Sequence, residues 1–164
     1  MNKFERVTKS QFLADLAPSE NDEDWVGHCW SGIILPKRLT AHSAGYDFYL
    51  PYDVSIPPRG TKKIYTGVKC RLDNDCVLLL DIRSSIGIKR GLSLANTIGV
   101  IDADYYDNSD NEGHIILCVY NRDDEWKYLD SGNRIAQGII VKYETVEDDS
   151  STGKRKGGIG STDE

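Results

Sequence analysis

A chain of 164 residues, 39% hydrophobic and 28% charged, suits one soluble domain large enough to bury a core. Its formal net charge of -6 argues against general affinity for duplex nucleic acid, which a basic surface drives. No apolar run approaches the ~20 residues of a membrane helix, and Met1 to Ser10 lacks the apolar centre of a signal peptide, so the expected location is cytoplasmic.

The segment 8-TKSQFLADLAP-18 reads as a short amphipathic helix. Thr8 and Gln11 have capping-box spacing, Phe12, Leu13 and Leu16 form a stripe, and Pro18 follows the end. The acidic 19-SENDED-24 reads as a solvated linker. From Ile33 onward short apolar runs alternate with turn residues: 54-VSIPPRGTKKIYTGVKCRL-72, 76-CVLLLDIRSS-85 as a buried strand, 113-GHIILCVYN-121 and 134-RIAQGIIVKYETV-146. Many short strands with little helical periodicity imply an all-β sandwich, jelly roll or barrel. Cys29, Cys70, Cys76 and Cys118 form no CxxC pair and read as buried free thiols. This divides the chain into an N-terminal extension with a short helix and acidic linker (1–32), a β domain (33–146) and a flexible, Gly-rich tail (147–164).

In 97-TIGVIDADYYDN-108 an apolar run ends in two acids one residue apart. As a strand or hairpin arm it would put Asp102 and Asp104 on one face and Tyr105 on the other, with one acid held inside. No GxxxxGK[ST] loop, HExxH helix or CxxC pair is present, because Gly153-Lys154 is followed by Arg155, which disfavours P-loop and zinc mechanisms. Polar clusters stand instead at strand ends: 43-SAGYD-47, 83-RSSIG-87, 99-GVIDADY-105, 132-GNRIAQ-137 and 157-GGIGST-162. Singly, each reads as turn glycines, capping hydroxyls or a surface ion pair.

Together and in this order, these five clusters resemble the five motifs of the trimeric dUTPases, in the subgroup with an N-terminal extension and a longer loop after the third motif, here 106-YDNSDNE-112. The resemblance spans about Ile33 to Thr162. It implies a dUTPase-like β-barrel or jelly roll, a homotrimer with shared active sites, and Mg²⁺-dependent hydrolysis of dUTP to dUMP and pyrophosphate. Such an enzyme limits uracil in DNA and supplies dUMP for dTTP synthesis. By the same resemblance Asp102 is the general base for a water attacking the α-phosphorus, with Tyr105 against the deoxyribose. Asn96, Ile98 and Gly99 lie where a hairpin holds uracil. Arg83, Ser84 and Ser85 grip phosphates, with Ser84 near the bond that breaks, and Gln137 is a further phosphate ligand. Asp47 holds the metal's water shell. The chemistry is consistent, since a triphosphate of about four negative charges needs a metal, a guanidinium and directed N–H donors before water can approach.

The tail departs from the pattern. The usual arginine position holds Lys154, leaving Arg155 for the terminal phosphate with Ser161 and Thr162, and Ile159 stands where a phenylalanine covers uracil. If Ile159 is not over the base, Tyr106 is the alternative. Lys89 and Arg134 match motif positions but read as structural. Two other functions stay open: a dCTP deaminase-like enzyme of the same fold, and a regulatory protein using its nucleotide site as a switch, with the 106–112 loop or the N-terminal segment as the contact surface.

Overall fold

The computed structural model describes residues 1–16, 23–153, 155 and 157, so Pro18, Lys154, Lys156, Ile159, Ser161 and Thr162 lie outside the described residues. Its strands form where apolar residues recur at every second position. In β6 (Cys76–Ile82) Cys76, Leu78, Leu80 and Ile82 are buried while Asp81 is exposed. Strand β6 lies at the centre of a four-stranded antiparallel sheet in the order β2 (Tyr46–Tyr49), β11 (Arg134–Lys142), β6, β8 (Gly99–Ile101). Its pairing with β11 runs unbroken from Ala136 opposite Ile82 to Lys142 opposite Cys76. A second sheet joins β4 (Thr61–Tyr65), β9 (Ile116–Asn121) and β7 (Leu92–Leu94). Two ribbons complete the β structure: β1 (Lys3–Arg6) with β5 (Val68–Arg71), and β3 (Val54–Ile56) with β10 (Lys127–Leu129). Phe48, Leu78, Leu80, Leu117 and Ile135 are among the fully or nearly fully buried side chains of one core. This is the expected jelly-roll-like, mostly β architecture.

The helices differ from expectation. Helix α1 (Lys9–Leu16) is where the spacing puts it, and Thr8 Oγ1 caps Gln11 N–H at 3.1 Å. The reciprocal half of the box comes from a distant residue: Glu112 accepts from Thr8 N–H at 2.9 Å and from Thr8 Oγ1–H at 2.6 Å. The proposed acidic linker runs into a second helix, α2 (Glu23–Ser31), in which Glu23 and Asp24 form the first turn and Val26 and Cys29, three apart, are buried. A third, α3 (Ser84–Arg90), begins where 76–85 was expected to continue as strand; Gly91, at φ 67°, ends it in the left-handed conformation. The N-terminal residues are not an appendage, since β1 pairs with β5 and Phe12, Leu16, Val26 and Cys29 join the main core. All four cysteines are free thiols, and burial pushes Cys70 up to about 12. No helix among the described residues is long and apolar enough to cross a membrane.

The outer face of the four-stranded sheet is apolar at one end. Val100 pairs with Leu79, and Leu79 and Val77 pair with Ile139 and Val141. Val100, Ile139 and Val141 are 54%, 37% and 38% exposed.

Candidate active site

At the opposite end of that outer face three of the five motifs converge. Asp47 on β2 is in register with Gln137 on β11, and Gln137 with Asp81 on β6, so one row crosses three strands. Asp47 is 8% exposed because two arginines cover it. Arg83 Nε donates to its Oδ1 at 2.9 Å and Arg134 Nη1 to its Oδ2 at 3.0 Å. Arg134 therefore joins this cluster through its pair with Asp47, a contact compatible with its reading as structural. The device that brings it in is a β-bulge: the register shifts between Arg134 and Ala136. Residues three apart on a regular strand face opposite ways; one extra residue puts Arg134 and Gln137 on the same side, and Ile135 and Ala136 are both buried. The spacing in 132-GNRIAQ-137 carries no visible mark of this.

Arg83 N–H donates to Ile135 C=O at 3.1 Å, which fixes the strand-to-helix corner against β11. Both Ile86 N–H and Gly87 N–H donate to Arg83 C=O at 2.9 Å, leaving the N–H groups of Ser84 and Ser85, first in α3, without intrahelical acceptors. Both serines are exposed. The cluster thus presents two guanidiniums, two hydroxyls, two backbone donors and the Gln137 amide, a donor set that fits an anion of several oxygens.

Asp102 lies elsewhere. Strand β8 ends at Ile101, and the chain turns into a 3₁₀ turn at Ala103–Tyr105, so the expected alternation stops one residue before the second acid. Asp102 and Asp104 still share one partner: Arg155 Nη2 donates to Asp102 Oδ2 at 2.5 Å and its Nε to Asp104 Oδ1 at 3.0 Å. Neither acid is held inside, their side chains being 48% and 58% exposed in the single chain. They border a cleft of 630 Å³ with Asn74, Tyr143, Ser151 and Arg155. The Arg155 guanidinium lies 5.6 Å from the Tyr105 ring centroid. Tyr105 is 6% exposed, its hydroxyl donating to His114 C=O at 2.8 Å and accepting from Asn111 Nδ2 at 2.9 Å, and burial raises that hydroxyl above its ordinary pKa.

Asn96 and Ile98 stand at an exposed corner, not at a hairpin tip, because β7 pairs with β9 while β8 pairs with β6. Thr97 holds φ 66° there, with Ile98 N–H donating to Asn96 C=O at 2.7 Å. Gly99 sits against Leu80, whose Cβ a glycine-to-alanine methyl would meet at 3.1 Å. Tyr106 is committed away from this corner: its hydroxyl donates to Glu5 at 2.5 Å, which pushes it up to about 12, and Lys69 lies over its ring. Nor is the 106–112 loop simply solvated, since Asn108 and Asn111 are buried.

The two clusters do not meet in one chain. Leu78 is opposite Ile101, the residue before Asp102, and Arg83 lies five positions beyond Leu78, just past the end of β6. At ~3.3–3.4 Å per residue that is about 17 Å. No group of three or more His, Cys, Asp or Glu side chains that could hold a metal occurs among the described residues. This donor set fits a hydrated Mg²⁺ held through water and substrate oxygens, since Mg²⁺ keeps several waters and needs one or two carboxylates. Each Asp47 oxygen spends one lone pair on a guanidinium and retains another for a metal-bound water.

An all-β jelly roll with a multi-donor anion site at one strand end and a separate carboxylate beside a tyrosine is the architecture of a polyphosphate-binding protein. The profile of the dUTPase family matches residues 32–163. The chain is 43% identical over 134 residues to the deoxyuridine 5'-triphosphate nucleotidohydrolase of Lactococcus lactis subsp. lactis, covering 80% of this chain and 89% of that one. It is 31% identical to the enzyme of the same name from Wolinella succinogenes, with 79% and 86% covered. Among solved structures, the dUTPase from Streptococcus mutans superposes with a TM-score of 0.70 at 36% identity, over 88% of this chain and 98% of that one. The chain belongs to the dUTPase family.

Proposed function

We propose that the protein hydrolyses dUTP to dUMP and pyrophosphate by attack of water on the α-phosphorus, at sites shared between subunits of a homotrimer. The observation that carries this reading is the separation of about 17 Å between the anion cluster and Asp102, estimated from strand spacing. One chain cannot present both to a single nucleotide, and a neighbouring copy can. The apolar outer sheet face of Val77, Leu79, Val100, Ile139 and Val141 supports the assembly, because a monomer would leave it in water.

In this reading Arg83, Ser84, Ser85 and Gln137 bind the triphosphate, and Asp47 orients Arg83 and Arg134 while accepting a hydrogen bond from a water of the metal. Mg²⁺ supplies charge neutralisation of the phosphate oxygens. The backbone from Asn96 to Gly99 holds uracil. Tyr105 lies against the sugar, and Asp102 takes the proton of the attacking water. Gly99 and Asp102 are three residues apart on one strand and its end, a span on the scale of one nucleoside. Arg155 leaves the two acids for the phosphates when substrate binds, which would free the base at the moment it is needed. Ser161, Thr162 and Ile159, outside the described residues, complete the tail's closure. The subgroup with an N-terminal extension fits a family match that begins at residue 32, with two helices and a strand before it.

The deciding experiment is pyrophosphate release from dUTP, dTTP, dCTP and UTP with and without Mg²⁺. A strong preference for dUTP that needs Mg²⁺ is expected. Ammonia release from dCTP would establish the deaminase alternative instead.

A further inference from the structure

The first sixteen residues reach the loop after Tyr105 at three separate points. The Tyr106 hydroxyl donates to Glu5, Thr8 makes two bonds to Glu112, and Asp15 Oδ2 lies 2.6 Å from His114 Nδ1. The last contact is the most deeply set. His114 is 0% exposed, between Phe12 and Tyr65 at ring-centroid distances of 5.9 Å. Its Nε2 accepts from Gly67 N–H at 2.8 Å, so the ring proton sits on Nδ1 and is donated to Asp15. A buried imidazole with both nitrogens engaged is fixed in place and in tautomer. The backbone carbonyl of this same residue accepts the Tyr105 hydroxyl.

The rest of the loop converges on the same tyrosine. Asn108 Nδ2 donates to Tyr105 C=O at 2.7 Å, Asn111 Nδ2 donates to the Tyr105 hydroxyl, and Asn111 C=O receives His114 N–H at 2.9 Å. Gly113 permits the close return: at φ 77°, any Cβ there would lie 2.6 Å from the Tyr105 carbonyl oxygen. Tyr105 is therefore held at its carbonyl and at its hydroxyl by a loop that the N-terminal helix braces from outside.

We infer that Asp15 and His114 are positioning residues for the sugar contact: through the His114 carbonyl they set where the Tyr105 ring stands, and so how strictly the site rejects a ribose 2'-hydroxyl. This rests on the reading of Tyr105 as the residue against the deoxyribose. The discriminating surface then includes a helix with no substrate contact of its own. Asn111, which shares the Tyr105 hydroxyl, is the third member of the support.

The test is steady-state kinetics on the full chain with dUTP and UTP. Asp15→Ala removes the acceptor for Nδ1–H and should lower the ratio of kcat/KM for dUTP over UTP by about fivefold, the factor for one net hydrogen bond, with kcat for dUTP within about twofold of the parent. Asp15→Asn keeps an acceptor there and should restore the parent ratio, which a general loss of stability would not allow. Tyr105→Phe alone removes the hydroxyl that His114 holds. In the Asp15→Ala background it should add little further change to the ratio, because both variants break one linkage. An unchanged ratio in Asp15→Ala, or full additivity of the two variants, overturns the inference if Tyr105→Ala itself collapses the ratio. If Tyr105→Ala also leaves it unchanged, the sugar-contact reading fails first and the inference with it.

Discussion

Replacing Asp47 by asparagine would separate the two tasks assigned to this carboxylate. Asp47 stands between two guanidiniums at 2.9 and 3.0 Å, and its side chain is 12% exposed against 25% for Arg83 and 35% for Arg134. A charge-assisted hydrogen bond contributes ~1.5–3 kcal/mol, a scale that suits the Arg83 pair. The wetter Arg134 pair falls nearer the ~0.2–1 kcal/mol of exposed pairs. Asparagine keeps one acceptor and turns an N–H donor towards a guanidinium, so a net loss of roughly 2–3 kcal/mol is expected. For a chain of this size that lowers Tm by about 5–10 °C. Arg83, no longer aimed, should also bind a non-hydrolysable dUTP analogue about tenfold more weakly. Calorimetric melts and isothermal titration across a series of Mg²⁺ concentrations measure both effects. If Asp47 acts through the arginines, excess Mg²⁺ will not restore affinity; if it acts through the metal's water alone, excess Mg²⁺ will. A Tm within about 1 °C of the parent, with affinity recovered at high Mg²⁺, would refute the arginine-orienting argument.

Asp102→Asn should keep the fold and analogue binding while lowering turnover by ~10²–10⁴, the usual worth of a general base; near-normal turnover would remove Asp102 from that role. Arg83→Ala and Asp102→Asn, each nearly inactive alone, should regain activity when co-assembled, and no recovery in verified mixed trimers would contradict a shared site. Glu112 links stability to pH. Burial opposes its ionisation, but the Thr8 hydrogen bonds and the Lys69 charge outweigh it and hold its pKa below the ordinary 4.5. Its stabilising contribution is present above that value and disappears as pH falls through the lowered one. The Tm gap between the parent and Glu112→Gln should therefore narrow as the pH falls below the ordinary glutamate value; a gap that stayed constant with pH throughout the acid range would show that the carboxylate's charge does not secure Thr8.

Local patterns in the sequence foretell much of this fold. The apolar runs within 76–82 and 134–142 mark the two central strands, each with one face in the core. Thr8 and Gln11 mark the start of α1. Helix α2 had a signal too, in the spacing of Trp25, Val26, Cys29 and Trp30, which the acidic run before it obscured. What was not legible depends on contacts between distant segments. Asp15 and His114 are 99 positions apart, and Thr8 and Glu112 are 104 apart; neither pair leaves a local pattern. The third motif misled for a physical reason, since alternation describes a strand and the chain leaves the strand at Asp102. The site residues are nameable from their ordered motifs, but which of them meet within one chain is a property of strand register.

The bulge at Arg134–Ala136 bears on which lengths of chain this protein can tolerate. Deleting one residue there would iron the strand flat and leave β11 its pairing with β6, so the product could still fold. Arg134 would then stand two positions from Gln137 and keep its side of the sheet, but one of the buried pair Ile135 and Ala136 would be lost from the core, and with Ile135 the carbonyl that receives Arg83 N–H. A single-codon loss at this place would therefore cost core packing and the corner that aims Arg83, while leaving the second guanidinium on its own side of the sheet.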